Sequence, residues 1–316
     1  MKKLLSLVLA LCLVLGCSSA LAAKKYEIGV LQLVQHAALD AATQGFVDAL
    51  TEKLGEKNVE FDIQNASGDS AACTTIATTF DANGVDLIMA NATAALQAAM
   101  NATGSIPVLG TSVTDYATAM GITDGWTGVT GINVSGTSDL APLDAQAALI
   151  KELFPEAKTV GLLYCSAEPN SVYQVNVITG YLADLGFKTK EYAFADSNDV
   201  ASVTQNAADN CDVIYIPTDN TAASYTETIA NVVLPAQVPV VAGEAGICAG
   251  CGVATLSISY YDLGYQTGLM AYEILVNGAD IASMPIATAP NPVKMYNAAN
   301  CAELGITPPA EYQPIE

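Results

Sequence analysis

Two stretches of this chain, beginning near Tyr26 and near Thr159, run through the same order of apolar strand-like segments and amphipathic helix-like segments. Ile28-Gly-Val-Leu31 corresponds to Val160-Gly-Leu-Leu163, Asp86-Leu-Ile-Met89 to Asp212-Val-Ile-Tyr215, and Ile106-Pro-Val108 to Val238-Pro-Val240. In each half the middle run is followed by a small polar loop and a Thr-Ala-Ala, at Thr93 and at Thr221. Alternation of strand and helix builds a parallel sheet covered on both faces. Two copies with a period this long exclude a solenoid and point to two similar lobes. The 316 residues are too many for one compact core and suit two. The expected fold class is α/β, two doubly wound parallel-sheet lobes.

The first half is expected to place strands at 26–33, 59–64, 86–90 and 107–110, with helices over 39–54, 70–83 and 93–102. The second is expected to place helices over 142–153, 171–185, 199–209 and 222–234, with strands at 159–164, 188–194, 212–216 and 238–241. A run at 253–259, a helix over 262–277 and a strand at 293–297 have no evident counterpart in the first half. They are expected to cross back and complete the first lobe. The lobes then comprise 23–140 with 262–297, and 141–261 with 298–316. A chain that crosses more than once makes a multi-strand hinge and hence a closing cleft.

Residues 1–22 read as a secretory signal peptide. Lys2 and Lys3 precede an apolar run from Leu4 to Gly16 that is short for a membrane span. Ala20-Leu21-Ala22 suits cleavage before Ala23. Val14-Leu15-Gly16-Cys17 resembles a lipobox and keeps open a lipid anchor at Cys17. On either reading the mature protein is extracytoplasmic, in the periplasm or at the cell surface. Six cysteines remain, an even number that permits disulfides. Cys248 and Cys251 form one C-x-x-C with no second pair at zinc-ligand spacing. They read as a local disulfide or two inert thiols in a loop, and the glycine-rich 243–252 stretch around them reads as a turn.

The charges narrow the function. The chain carries 32 acidic and 11 basic residues, every basic one a lysine, and a single histidine, His36. Phosphate-neutralising basic patches cannot be assembled, so no nucleic acid is expected as a partner. A multi-histidine metal site is impossible. His36 has no visible nucleophile to serve, and there is no G-x-S-x-G, no P-loop and no G-x-G-x-x-G after a strand. No catalytic residue, cofactor or metal is expected, and the protein is read as a non-enzyme. The acidic surface is expected to keep a monomer soluble.

In open parallel sheets, ligands bind beyond the carboxyl ends of the strands. The residues there supply the candidates: Gln32 and His36, Asn91 and Thr93, and Ser112, Thr114 and Asp115 in the first half; Ser166 and Glu168, Thr218, Asp219 and Asn220, and Glu244 in the second. Hydroxyls and backbone N–H groups at helix starts suit a carboxylate without any arginine. A carboxylate such as Asp219 or Glu244 suits an ammonium. Together they describe a zwitterion, that is, an amino acid; each residue taken alone reads equally as a helix cap. Tyr116, Trp126 and Tyr173 lie near these loops and are candidate aromatic walls.

Several segments resemble the substrate-binding proteins of bacterial ABC importers, in the subgroup associated with tryptophan, phenylalanine or tyrosine. The matching segments include Ile28-Gly-Val-Leu-Gln32, His36-Ala-Ala-Leu-Asp40, Gln64-Asn-Ala-Ser-Gly-Asp69, Thr111-Ser-Val-Thr-Asp115, Pro217-Thr-Asp-Asn220 and Tyr260-Tyr-Asp-Leu-Gly-Tyr-Gln-Thr267. The resemblance covers nearly the whole mature chain. It implies the periplasmic-binding-protein type I fold, a small-molecule ligand, an aromatic or other apolar amino acid, held between the lobes, and an ABC permease as membrane partner. A ligand sensor presenting the same molecule to a signalling receptor is the alternative.

Overall fold

The computed structural model describes residues 24–289 and 291–315, so the leader, its cleavage motif and Cys17 lie outside the described residues. The first half runs β1 (Tyr26–Gln32), α1 (Ala37–Leu54), β2 (Val59–Asn65), α2 (Ser70–Asn83), β3 (Leu87–Asn91), α3 (Thr93–Ala102), β4 (Val108–Val113), α4 (Tyr116–Met120) and β5 (Val134–Ser138). The second half opens with α5 (Leu143–Leu153), β6 (Thr159–Cys165), α6 (Pro169–Asp184), β7 (Lys188–Phe194), α7 (Val200–Ala208) and β8 (Val213–Ile216). It continues with α8 (Asn220–Ser224), α9 (Thr226–Val233), β9 (Val240–Ala242), α10 (Ala245–Cys251) and β10 (Ala254–Ser257). The chain ends with α11 (Tyr260–Leu275), β11 (Ala287–Thr288), β12 (Val293–Tyr296), α12 (Ala298–Glu303) and β13 (Gln313–Pro314).

These strands form two sheets, in the orders β11-β5-β4-β3-β1-β2 and β13-β12-β10-β9-β8-β6-β7. All neighbours are parallel except β10 and β12. The internal echo in the sequence is a structural repeat. Ile28 stands opposite Leu87, and Val160 opposite Val213. Ile88 stands opposite Val108, and Ile214 opposite Val240. Even the acid before the third strand repeats: Asp86 accepts from the Glu27 backbone N–H, and Asp212 from that of Thr159, both at 2.9 Å. All five residues of β3 and all four of β8 are buried, as continuous apolar runs covered on both faces require. Two apolar clusters flank each sheet, one per face.

Four expectations are corrected. The run now seen as β10 does have a counterpart, β5, which flanks β4 as β10 flanks β9. Val-Ser-Gly-Thr-Ser carries no apolar run, so its strand character comes from sheet pairing alone. The strand at 293–297 does not complete the first lobe, because β12 pairs antiparallel with β10 in the second sheet. The segment that returns to the first runs from α11 through the 3-10 turn Ile281–Ser283 to the two-residue β11. The 243–252 stretch is helical, as α10, with Glu244 accepting from the Gly246 and Ile247 N–H groups. The helix expected over 222–234 is broken at Tyr225 into α8 and α9.

Each half therefore gives its last helix to the other lobe: α5 follows β5 and packs on the second sheet, and α11 follows β10 and packs on the first. The chain crosses between lobes after β5, after β10 and after β11. The crossing helix α11 lies very close to α1. A Cβ on Gly264 would come within 1.9 Å of the Ala42 carbonyl oxygen, and one on Gly45 within 2.1 Å of that of Tyr261. Thr267, one turn on, hydrogen-bonds Thr137 at 2.8 Å, tying the helix to β5. This contact brings Tyr260, the first residue of α11, to the cleft.

Candidate functional site

The carboxyl ends of both sheets face each other across a small cavity. His36 and Leu39 enter it from the start of α1, and Ser112 and Thr114 from the end of β4. Asp139 follows β5, and Tyr260 opens α11. The second lobe supplies Asn170 from α6, Thr218, Asp219, Asn220 and Ala223 from the β8–α8 turn, and Glu244 after β9. Seven of the expected residues thus meet in one cavity: His36, Ser112, Thr114, Thr218, Asp219, Asn220 and Glu244.

The lobes touch across this space. His36 Nε2 lies 3.2 Å from Asn220 Oδ1, and Thr114 Oγ1 lies 3.4 Å from Thr218 Oγ1. Gln174 holds Thr218 from behind, donating from Nε2 to the hydroxyl at 2.6 Å and accepting from the backbone N–H at 3.2 Å. Ser112 has a left-handed backbone, φ 54°, where the β4–β5 register shifts between Gly110 and Val113. Such an irregularity re-aims a side chain, and here it delivers a buried Ser112 hydroxyl that has no hydrogen-bond partner among the described residues. His36 is the N-cap of α1 and makes no side-chain cap, so the first turn of that helix keeps its N–H groups free of a side-chain acceptor.

Three buried carboxylates line the same space. Burial, reinforced by the nearby Glu168 charge, pushes Asp219 up to about 7, against hydrogen bonds from the Ala222 and Cys165 N–H groups. Burial pushes Asp139 up to about 6, partly offset by its bond from Tyr260. Burial also raises Glu244, opposed by His36 and by the Gly246 and Ile247 N–H groups. Among the described residues, no lysine lines the cavity. A positive group entering it would relieve both the desolvation and the mutual repulsion of these acids.

The other expected residues do not line it. Gln32 braces α1, donating to Asp40 Oδ1 at 2.7 Å and accepting from the Thr43 hydroxyl at 2.6 Å. Asn91 holds the same helix through the Leu39 carbonyl at 2.8 Å. Thr93 is buried at the start of α3 with an unpartnered hydroxyl, and Asp115 caps α4 through the Thr118 N–H at 2.7 Å. Ser166 is exposed and donates to the Phe194 carbonyl at 3.2 Å. Glu168 stands one layer out, accepting from the backbone N–H groups of Asn220 and Thr221 at 3.0 and 2.8 Å and so fixing the start of α8. The proposed aromatic walls are also corrected: Tyr116 is core, Trp126 packs on the first-lobe core, and Tyr173 does not reach the cavity.

Sequence reading missed Leu39, Asp139, Asn170, Ala223 and Tyr260. Asp139 was hidden because its strand carries no apolar signal. Tyr260 sits in the segment already singled out for its resemblance. Among the described residues the six cysteines are free, and Cys248 and Cys251 lie buried on α10 rather than in a loop. Burial pushes both thiols well up, so they are inert.

A family model described as ABC transporter substrate binding protein matches residues 27–312. A curated "Tyrosine-binding protein" of Clostridioides difficile (strain R20291) is 36% identical over 268 residues, covering 84% of this chain and 76% of the relative. Among solved structures, an ABC domain in complex with L-Trp from Streptococcus pneumonia is 34% identical with a TM-score of 0.88, covering 92% of this chain and all of that one. A ligand-free, open substrate-binding protein with adhesive properties from Clostridium difficile is 38% identical with a TM-score of 0.70, covering 92% of this chain and 99% of that one. The lobes here touch across the cleft, whereas that relative's structure is described as open. The repeated doubly wound lobes, the cavity between them and these matches together identify the chain as a member of the ABC transporter substrate-binding protein family, with the periplasmic-binding-protein type I fold and no enzymatic role.

Proposed function

We propose that the cavity holds an aromatic amino acid and that the protein delivers it to the permease of an ABC importer. The observation that carries this reading is the lining itself: buried carboxylates for an ammonium, hydroxyls and an uncapped helix start for a carboxylate, and no lysine to disturb either. The ligand carboxylate lies toward Ser112 Oγ and the first turn of α1. Leu39, Ala223 and the Tyr260 ring provide the apolar wall. The named ligands of the two relatives, tyrosine and L-Trp, support an aromatic side chain.

Contacts from both lobes to one molecule stabilise the closed state, which is the form a permease distinguishes from the open one. On this reading the protein works outside the cytoplasm, where a leader ending near Ala22 would send it. Among the described residues, no helix is long and apolar enough to cross a membrane. Denaturing the purified protein and weighing the released small molecule tests the ligand directly. A thermal-shift panel of the twenty amino acids completes the test: selective stabilisation by tryptophan, tyrosine or phenylalanine is expected. Unchanged melting with all twenty would end the amino-acid reading. Transport is tested by uptake of the labelled amino acid in cells lacking the gene.

A further inference from the structure

Asp139 is the one cavity carboxylate with an uncommitted oxygen. Asp219 uses both oxygens on backbone N–H groups, Oδ1 from Ala222 at 2.7 Å and Oδ2 from Cys165 at 2.6 Å. Glu244 likewise spends both oxygens capping α10. Asp139 is 5% exposed and lines the cavity; its Oδ2 accepts from the Tyr260 hydroxyl at 2.8 Å, and the nearby Thr114 side chain also helps hold the carboxyl down, while its buried Oδ1 has no hydrogen-bond partner among the described residues. A buried ionised carboxylate lacking a partner is costly, so an oxygen placed this way is a site for a charged donor.

Its position adds a second property. Asp139 is the first residue of the segment crossing between lobes after β5, and Tyr260 is the first residue after the β10 crossing. The bond between them joins two of the three crossings. A group bound to Oδ1 therefore sits on the hinge rather than on either jaw.

Resting on the reading that an aromatic amino acid occupies the cavity, we propose that Asp139 Oδ1 is the ammonium acceptor, positioned by Tyr260, and that this pair selects ligands bearing an α-amino group. Asp219 and Glu244 hold helix starts and do not set that selection.

The test compares L-tryptophan with indole-3-propionate, which keeps the ring and carboxylate and lacks the amine. By titration calorimetry the wild-type protein is expected to bind tryptophan roughly 10–100-fold more tightly, the range for a hydrogen bond to a charged partner. Asp139→Asn abolishes that preference, losing tryptophan affinity while keeping indole-3-propionate. Asp115→Asn, at the cap of α4 outside the cavity, keeps the wild-type ratio. Tyr260→Phe, which leaves Asp139 in place, reduces tryptophan affinity about tenfold without weakening indole-3-propionate, and it serves if Asp139→Asn does not fold. An unchanged ratio in Asp139→Asn, or an equal loss for both ligands in Tyr260→Phe, overturns the assignment while leaving the ligand class standing. Failure of the wild-type protein to bind tryptophan, tyrosine or phenylalanine overturns both.

Discussion

The imidazole of His36, at the start of the first helix, meets the carboxamide of Asn220, from the opposite lobe, at 3.2 Å between Nε2 and Oδ1. Both side chains line the cavity, and the contact exists only when the lobes are shut. Asn220 is itself held by Glu168, which accepts from its side-chain nitrogen at 2.7 Å. Replacing Asn220 with Ala removes the latch and leaves the other wall intact. Tryptophan is expected to dissociate faster by about three- to tenfold, the scale of one hydrogen bond, with little change in association. Stopped-flow tryptophan displacement reads both rates, and an unchanged dissociation rate would show that the contact does not stabilise closure.

Gly264 tests the packing that brings Tyr260 to the cleft. With the Ala42 carbonyl oxygen 1.9 Å from where a Cβ would sit, Gly264→Ala forces α11 away from α1. The expected cost is about 1–3 kcal/mol of stability, typical of overpacking, with a fall in ligand affinity because the hinge residue moves too. Denaturant unfolding of the ligand-free protein measures the first and calorimetry the second. Wild-type stability in this variant would contradict the close approach.

The buried acids set a pH dependence. Asp139 and Asp219 are raised to about 6 and about 7 from an ordinary 3.8, mainly by burial. A carboxyl raised on folding contributes stability that is fully present below its unfolded value and is lost as pH climbs through the folded one. The ligand-free protein is therefore expected to melt at progressively lower temperature from pH 5 to pH 8. Asp212, lowered by the Lys158 and Thr159 N–H groups, acts in the opposite sense but at more acid pH. Ligand affinity should move the other way, rising over the same interval as the cavity ionises toward an ammonium. Scanning fluorimetry with and without tryptophan reads both slopes; a melting temperature that rises from pH 5 to pH 8 without ligand would refute the account.

The thiols make a chemical prediction. Cys73, Cys165, Cys248, Cys251 and Cys301 are free and buried, and Cys211 is partly exposed. In a protein beginning at Ala23, a thiol reagent is expected to modify Cys211 first in the native state. All six should react in denaturant without prior reduction. Fewer than six under denaturing conditions would reveal a disulfide.

The alternation of apolar runs, and their repetition, made most strands and helices legible together with their assignment to two parallel sheets. The continuous apolar stretch Leu87–Ala90 marks a buried parallel strand. The same reading failed at Val134–Ser138, which is polar and becomes a strand only because β4 lies beside it. It failed again at Val293–Tyr296, because a four-residue strand carries no mark of which sheet it joins.

The site divides in the same way. The sequence alone placed Ser112, Thr114, Thr218, Asp219, Asn220 and Glu244 at the carboxyl ends of strands, and the absence of arginine already restricted how a ligand could be held. Only the tertiary structure separated polar residues that face the cavity from those that cap a helix or brace one, as Gln32, Asn91 and Asp115 do. The reason is that hydrophobic periodicity is a local property of the chain. The partner of a polar side chain depends on which distant segment folds against it. Asp139 and Tyr260 are 121 residues apart, and their bond exists because two separate crossings of the chain meet at one hinge.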